Sequence, residues 1–208
     1  NKEFDEYLTV LSKCDDYTKI YYFLEVISKE VKSSQKIEKH YVKNKDILEN
    51  DCFFTSLQMS HANIKRLHEV ATKEKSDYRD NEVRVSAMIG GKEKIYWYGA
   101  KPSDVKPFMD DFIKFYKTKS LSVIDSNPFL KSALAHLLFV RIHPFSDGNG
   151  RTARMIHNMK FTESINNIYG MKLKLCPLNL SQNILLNQFT YVNRIDDIYF
   201  DLEHDSNH

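Results

Sequence analysis

Between His143 and Arg154 the chain carries His143, Phe145, Asp147, Gly148, Asn149, Gly150, Arg151 and Arg154, a set suited to handling phosphates. Gly148 and Gly150 let backbone N–H groups approach an anion closely. Asn149 tolerates left-handed geometry, so consecutive N–H groups can form a concave nest. A helix opening behind them adds a positive dipole end and orphan donors. Arg151 and Arg154, three apart, share one face of the first turn and can grip phosphate oxygens bidentately. A carboxylate beside phosphates repels them unless it holds a cation, so Asp147 is the expected Mg²⁺ ligand. His143 lies upstream in the same loop, placed to take a proton from an attacking hydroxyl. The positive field of helix end, metal and arginines favours its neutral form. Phe145 is expected to anchor the loop in the core.

Other motifs fit less well. The run from Gly148 to Ala153 formally satisfies the dinucleotide fingerprint, but five residues separate it from any preceding strand. No acid follows between Tyr169 and Leu178 to hold a ribose. A P-loop, an HExxH pair and zinc-ligand spacings are absent from the sequence. The remaining histidines (His40, His61, His68, His136, His157, His204 and His208) are scattered and read as structural or surface groups.

The elements that must position these groups read mainly as helices. Asn127 followed by Pro128 is a cap and first-turn proline. The helix it opens, to about Arg141, is apolar nearly all round and is expected to be the buried centre. The next helix should run from near Gly148 to Gly170. Further helices are expected over about Tyr17–Lys39 and Ser56–Lys73, after Pro102, and from Leu180 into the acidic tail. Val83, Val85, Ala87 and Ile89 alternate before Gly90-Gly91, and Ile95 and Trp97 follow, which predicts a β-hairpin. Glu74–Asn81 reads as the mobile loop. The expectation is an all-α domain with one small hairpin.

Composition agrees. With 208 residues the chain can bury a core without disulfide or metal support. Thirty basic and 28 acidic residues give +2, too even to suggest nucleic acid. Three widely spaced cysteines (Cys14, Cys52, Cys176) favour reduced thiols. No apolar run could span a bilayer, and the first 30 residues are dotted with charge, so a cytoplasmic location without membrane contact is expected.

The segment resembles the signature of Fic-domain proteins, H-x-F-x-[DE]-G-N-G-R-x-x-R, and all eight specified positions match. Chance odds are on the order of 10⁻¹⁰ per start point. The resemblance extends over roughly residues 56–200. It implies a helical core (56–208) with a hairpin "flap" (83–99) and an N-terminal helical region (1–55). It also implies protein adenylyltransferases that move AMP from Mg-ATP to a Ser, Thr or Tyr hydroxyl and release pyrophosphate. His143 would be the general base and Asp147 the Mg²⁺ ligand. Gly148, Asn149 and Gly150 would form the anion nest, with Arg151 and Arg154 on the outer phosphates. Gly150 matches the AMP-transferring branch rather than the phosphorylating one, which has lysine there. The flap would dock a protein substrate, with self-modification included.

Many such proteins carry an inhibitory helix, [S/T]-x-x-x-E-[G/N], whose glutamate pairs with the second motif arginine. Ser34 to Glu38 fits its first five positions, and Lys39 departs from the sixth. Spacing puts Ser34 and Glu38 on one helix face. Two alternatives stand beside the transferase: an enzyme of the same fold removing AMP from a protein, and a catalytically silent nucleotide-binding regulator.

Overall fold

The structure is a computed structural model that describes residues 2–15, 57–118, 127–173, 180–188 and 190–195, with 25–26, 28–30, 32–34 and 36–37. In chain order these give α1 (Lys2–Lys13), α2 (His61–Thr72), β1 (Arg84–Ile89), β2 (Lys92–Tyr98), α3 (Pro102–Lys117), α4 (Pro128–Ile142), α5 (Asn149–Tyr169) and α6 (Leu180–Leu186). The described parts of 25–37 and residues 190–195 are also helical. The expected boundary at 55/56 lies outside the described residues.

Local chemistry sets most element ends. The Asn127 side chain accepts from Phe129 and Leu130 N–H at 3.0 Å, and Pro128 occupies the first turn of α4. Helix α5 starts after Gly148 (φ 75°) and stops at Gly170 (φ 65°), as the glycines predict. Helix α2 begins at His61 rather than near Ser56, because Ser60 is its cap and accepts from Asn63 N–H at 3.3 Å. At the hairpin tip Gly90 (φ 57°) and Gly91 (φ 80°) both take the positive φ that a tight two-residue turn demands. Strands β1 and β2 pair antiparallel from Arg84–Tyr98 to Ile89–Lys92, with an irregularity at Val85/Ser86. Trp97 turns its ring inward beneath the Arg141 guanidinium, 5.3 Å away.

One core joins α2, α3, α4, α5 and β2 around Ile64, Met109, Phe112, Phe139, Phe145 and Ile156. A second cluster seats α1 on the far half of α5, through Leu8, Leu11, Phe161 and Ile165. Helix α1 repeats Phe4, Tyr7, Leu8 and Leu11 at helical spacing, a pattern the sequence reading did not take up.

The expected buried centre is misplaced by one helix. Phe129, Leu130 and Leu138 of α4 are 37–42% exposed, while Lys131, Ser132 and His136 are buried. The enclosed helix is α5, despite its polar sequence. Several of its polar groups are satisfied in place: Thr152 donates to Gly148 O at 2.9 Å, Thr162 to Asn158 O at 2.7 Å, and Lys160 to Tyr116 O at 2.7 Å. Burial of such side chains costs little once each has its partner, so hydropathy alone picked the wrong helix. Among the described residues no helix is long and apolar enough to cross a membrane.

Candidate functional site

The site forms where α4 ends and α5 begins. Helix α4 stops at Ile142, and His143 caps it in left-handed geometry (φ 53°, ψ 59°), with its N–H bonded to Phe139 O at 3.0 Å. That conformation is uncommon for a residue with a Cβ and has to be held by its surroundings. The imidazole Nδ1 is 3.1 Å from Val140 O. A carbonyl can only accept, so Nδ1 carries a proton, and in the neutral ring the lone pair lies on Nε2. A base needs that tautomer.

The loop behind His143 is fixed by Phe145 and Asn149. Phe145 is fully buried and stacks on His68, ring centroids 3.9 Å apart. Asn149 accepts from Phe145 N–H at 2.9 Å and donates to Phe145 O at 2.7 Å, closing the turn like a clasp. The left-handed residue of the nest is therefore Gly148, not Asn149, whose side chain is committed to the loop. Gly148 caps α5 with no side-chain partner, so the N–H groups of the first turn remain available to an anion. A Cβ at Gly148 would collide with Thr72 and come within 2.9 Å of His68 Nε2. His68 supports the same point, donating from Nε2 to Asp147 O (2.9 Å) while Nδ1 accepts from Ser76 (3.0 Å). Burial lowers its pKa, and the neutral ring fits both bonds.

The stretch expected to be mobile is instead pinned to the site by Arg79. Its Nε donates to His143 O at 2.7 Å, and its terminal nitrogens to Asn81 O at 2.6 Å, Ala100 O at 2.5 Å and Ile142 O at 3.3 Å. Its backbone N–H adds a bond to Pro144 O at 2.9 Å. Desolvation pushes its pKa down, but carbonyl dipoles satisfy the cation. No sequence signal marked Arg79, because its partners are all backbone carbonyls and, Asn81 apart, lie 21 to 64 residues away. Tyr78 beside it bonds His61 Nδ1 (3.0 Å), and His61 Nε2 bonds Asp110 (2.8 Å).

The phosphate-facing residues are gathered but engaged. Arg151 bonds Asp147 Oδ2 at 3.0 Å and Ala71 O at 3.4 Å. Its Nε is buried with no partner among the described residues, an orphan donor that an anion would satisfy. Asp147 is 72% exposed, so its carboxylate is open to a cation. Among the described residues no cluster of three His, Cys, Asp or Glu forms a protein cage for a metal. One open carboxylate fits Mg²⁺, which is held by one or two carboxylates together with nucleotide phosphates.

Arg154 is buried and turns to the N-terminal segment. Its Nε donates to Ser34 Oγ at 3.0 Å and a terminal nitrogen to Ser34 O at 3.4 Å. Glu30 anchors the same segment, accepting from Ser181 N–H (2.8 Å), Ser181 Oγ (2.6 Å) and Asn158 (3.4 Å). The structure thus brings Ser34 to Arg154, the arginine that the resemblance pairs with the glutamate of the inhibitory helix. Glu38 and Lys39 lie outside the described residues.

The sequence model of the Fic/DOC family matches residues 58–160, about half of the chain, which include all of the site above except Glu30, Ser34 and Ser181. The chain is similar to "Protein adenylyltransferase Fic" of Drosophila erecta, 34% identical over 85 residues, 41% of this chain and 15% of that one. It is also similar to "Protein adenylyltransferase fic-1" of Caenorhabditis elegans, 40% identical over 58 residues, 28% of this chain and 11% of that one. The alignments thus span less than a fifth of these relatives' lengths. In fold it is similar to a Fic family protein from Desulfovibrio desulfuricans G20, with a TM-score of 0.54 at 17% identity, covering 83% of this chain and 53% of that chain. The matched segment holds the complete signature from His143 to Arg154, and the chain belongs to the Fic/DOC family.

Proposed function

We propose that this chain is a protein adenylyltransferase. It transfers AMP from ATP to a Ser, Thr or Tyr hydroxyl of a protein, itself included, and releases pyrophosphate. The observation that carries the reading is the turn at His143, whose Nδ1 bonds Val140 O and so directs the lone pair of the neutral ring to Nε2, one loop away from the start of α5, which has no side-chain cap. His143 Nε2 takes the hydroxyl proton as the oxygen bonds to the α-phosphorus, and the bond from that phosphorus to the bridging oxygen of pyrophosphate breaks. The first-turn N–H groups and Arg151 hold the phosphates, and Arg154 joins them once it leaves Ser34. Asp147 would hold Mg²⁺, which supplies charge neutralisation on the phosphates. The hairpin is rooted beside the base, since Gly99 N–H bonds Val83 O (3.0 Å) and Ala100 N–H bonds Ile142 O (3.2 Å). That placement suits an extended protein segment pairing with an open strand edge. Residues 56–208 carry the chemistry, and Ser34 and Glu38 in residues 1–55 restrain it.

The test uses ATP labelled at the α- or the γ-phosphate, with Mg²⁺. Label should stay with denatured protein only from the α-position, with an adduct of AMP mass. His143→Ala should abolish it and still bind ATP. An adduct of phosphate mass, or full labelling by His143→Ala, overturns the mechanism. Binding of ATP without any adduct would favour a silent regulator.

A further inference from the structure

We infer that Arg79 is a positioning residue for His143: its guanidinium and backbone together fix the left-handed turn that presents the base. The inference rests on the reading of His143 as general base but concerns a residue outside the signature. A residue's φ is set by the peptide plane before it and its ψ by the plane after it. Arg79 holds the carbonyls of both planes, Ile142 O at 3.3 Å and His143 O at 2.7 Å. The Arg79 N–H holds the next carbonyl, Pro144 O, at 2.9 Å. Three successive carbonyls around one strained residue therefore answer to one side chain and its own N–H.

Arginine suits this work better than lysine. The planar fork sends donors in several fixed directions, and here they meet carbonyls from three segments. The cation also lies at the C-terminal end of α4, where unpaired carbonyls favour positive charge. Gly99 leaves room for it: a Cβ there would be 2.7 Å from an Arg79 terminal nitrogen and 3.0 Å from His143 Cβ. Arg79 itself cannot drift, because Tyr78 is tied through His61 to Asp110 and packs on Phe145, ring centroids 5.4 Å apart.

The experiment compares Arg79→Met, Arg79→Lys and Gly99→Ala with the unaltered full chain. Transfer kinetics and the ¹⁵N-imidazole spectrum of His143 are read side by side. A misplaced base should lower kcat about a hundredfold in Arg79→Met while KM for ATP stays within about twofold. Arg79→Lys should recover part of kcat. Gly99→Ala, pressing on Arg79 and His143 from the other side, should reproduce the kcat loss. In the same variants the protonated Nδ1 signal of His143 should give way to tautomer averaging. Folded variants with kcat within about threefold of the parent, with KM rising in step with the loss, or with an unchanged His143 spectrum overturn the inference. If Arg79→Met does not fold, the other two variants decide it. If the parent chain transfers no AMP, the proposed function fails by itself and the imidazole spectrum still judges Arg79.

Discussion

The two sides of the site are built to different rules. On one side, around His143, backbone carbonyls converge on Arg79 and the imidazole Nδ1 bonds Val140 O. On the phosphate side each arginine is already occupied, Arg151 by Asp147 and Ala71 O, Arg154 by Ser34. The occupations are unequal. Asp147 is largely exposed, so its pair with Arg151 is worth no more than about 1 kcal/mol and yields easily to phosphate. Arg154 is 3% exposed, and an incoming phosphate must replace contacts made out of water. On the proposed function, the base is held by fixed backbone contacts, and control would act on the cations, at Arg154 above all.

Both sides hang on the packing of α4 against α5, so the largest effect should come from opening it. His136 of α4 and His157 of α5 meet edge to face, 6.1 Å apart. Desolvation pulls His136 down to about 3, helped by His157, and pulls His157 down to about 4. The folded chain keeps both neutral, whereas the unfolded chain protonates them below about 6.5. Stability is therefore full above that pH and declines as pH falls towards 4. At pH 5 the loss should be about 2 kcal/mol for each ring, or about 4 kcal/mol together relative to pH 8. Urea unfolding across pH 5–8 measures it. A midpoint flat over that range would mean that the rings are hydrated and the interface is looser than described.

Asp147→Ala should separate the two sides. It removes the proposed cation-binding carboxylate and the partner of Arg151, but leaves the contacts of His143 with Val140 O and Arg79 in place. Transfer should fall at least about a hundredfold, ~2.7 kcal/mol, at saturating Mg-ATP. The His143 imidazole spectrum should not move. Transfer kinetics over a Mg²⁺ titration provide the check, and near-parental rates would remove Asp147 from the metal role.

The base side and the phosphate side also differed in how far they could be read from sequence. Residues 143–154 were legible because their chemistry is local: glycines for the turn, arginines one turn apart, a helix start. Gly148 and Gly170 bounded α5 for the same reason. Arg79 was illegible because its partners are carbonyls, most of them distant, which have no side-chain identity to pattern on. The exchange of roles between α4 and α5 was missed because satisfied polar burial does not register as hydropathy. Asn149 was read for its backbone freedom, when its side chain does the work of closing the loop. Helix α1 is legible in the helical spacing of Phe4, Tyr7, Leu8 and Leu11.

The smallest effects test the claim that control acts through Arg154. Glu38→Gly, which removes the proposed partner carboxylate, should raise self-labelling about tenfold, ~1.4 kcal/mol. Ser34→Ala should raise it less, about threefold, for two structural reasons. The substitution removes only the Oγ acceptor, while Ser34 O still accepts from Arg154 at 3.4 Å. The segment also stays docked, because Glu30 holds Ser181 and Asn158 independently of Ser34. The lost bond is a hydrogen bond to a cation, ordinarily worth about 1.5–3 kcal/mol, but most of that is recovered if Arg154 turns to a phosphate oxygen instead. The gain should therefore be visible at low ATP and fade at high ATP, where phosphate already outcompetes the hydroxyl. Arg154→Ala should be inactive in either background, since the cation itself is then missing. Initial rates of self-labelling over an ATP titration read all three variants, and a Ser34→Ala curve lying on or below the parent's would place the restraint somewhere other than this contact.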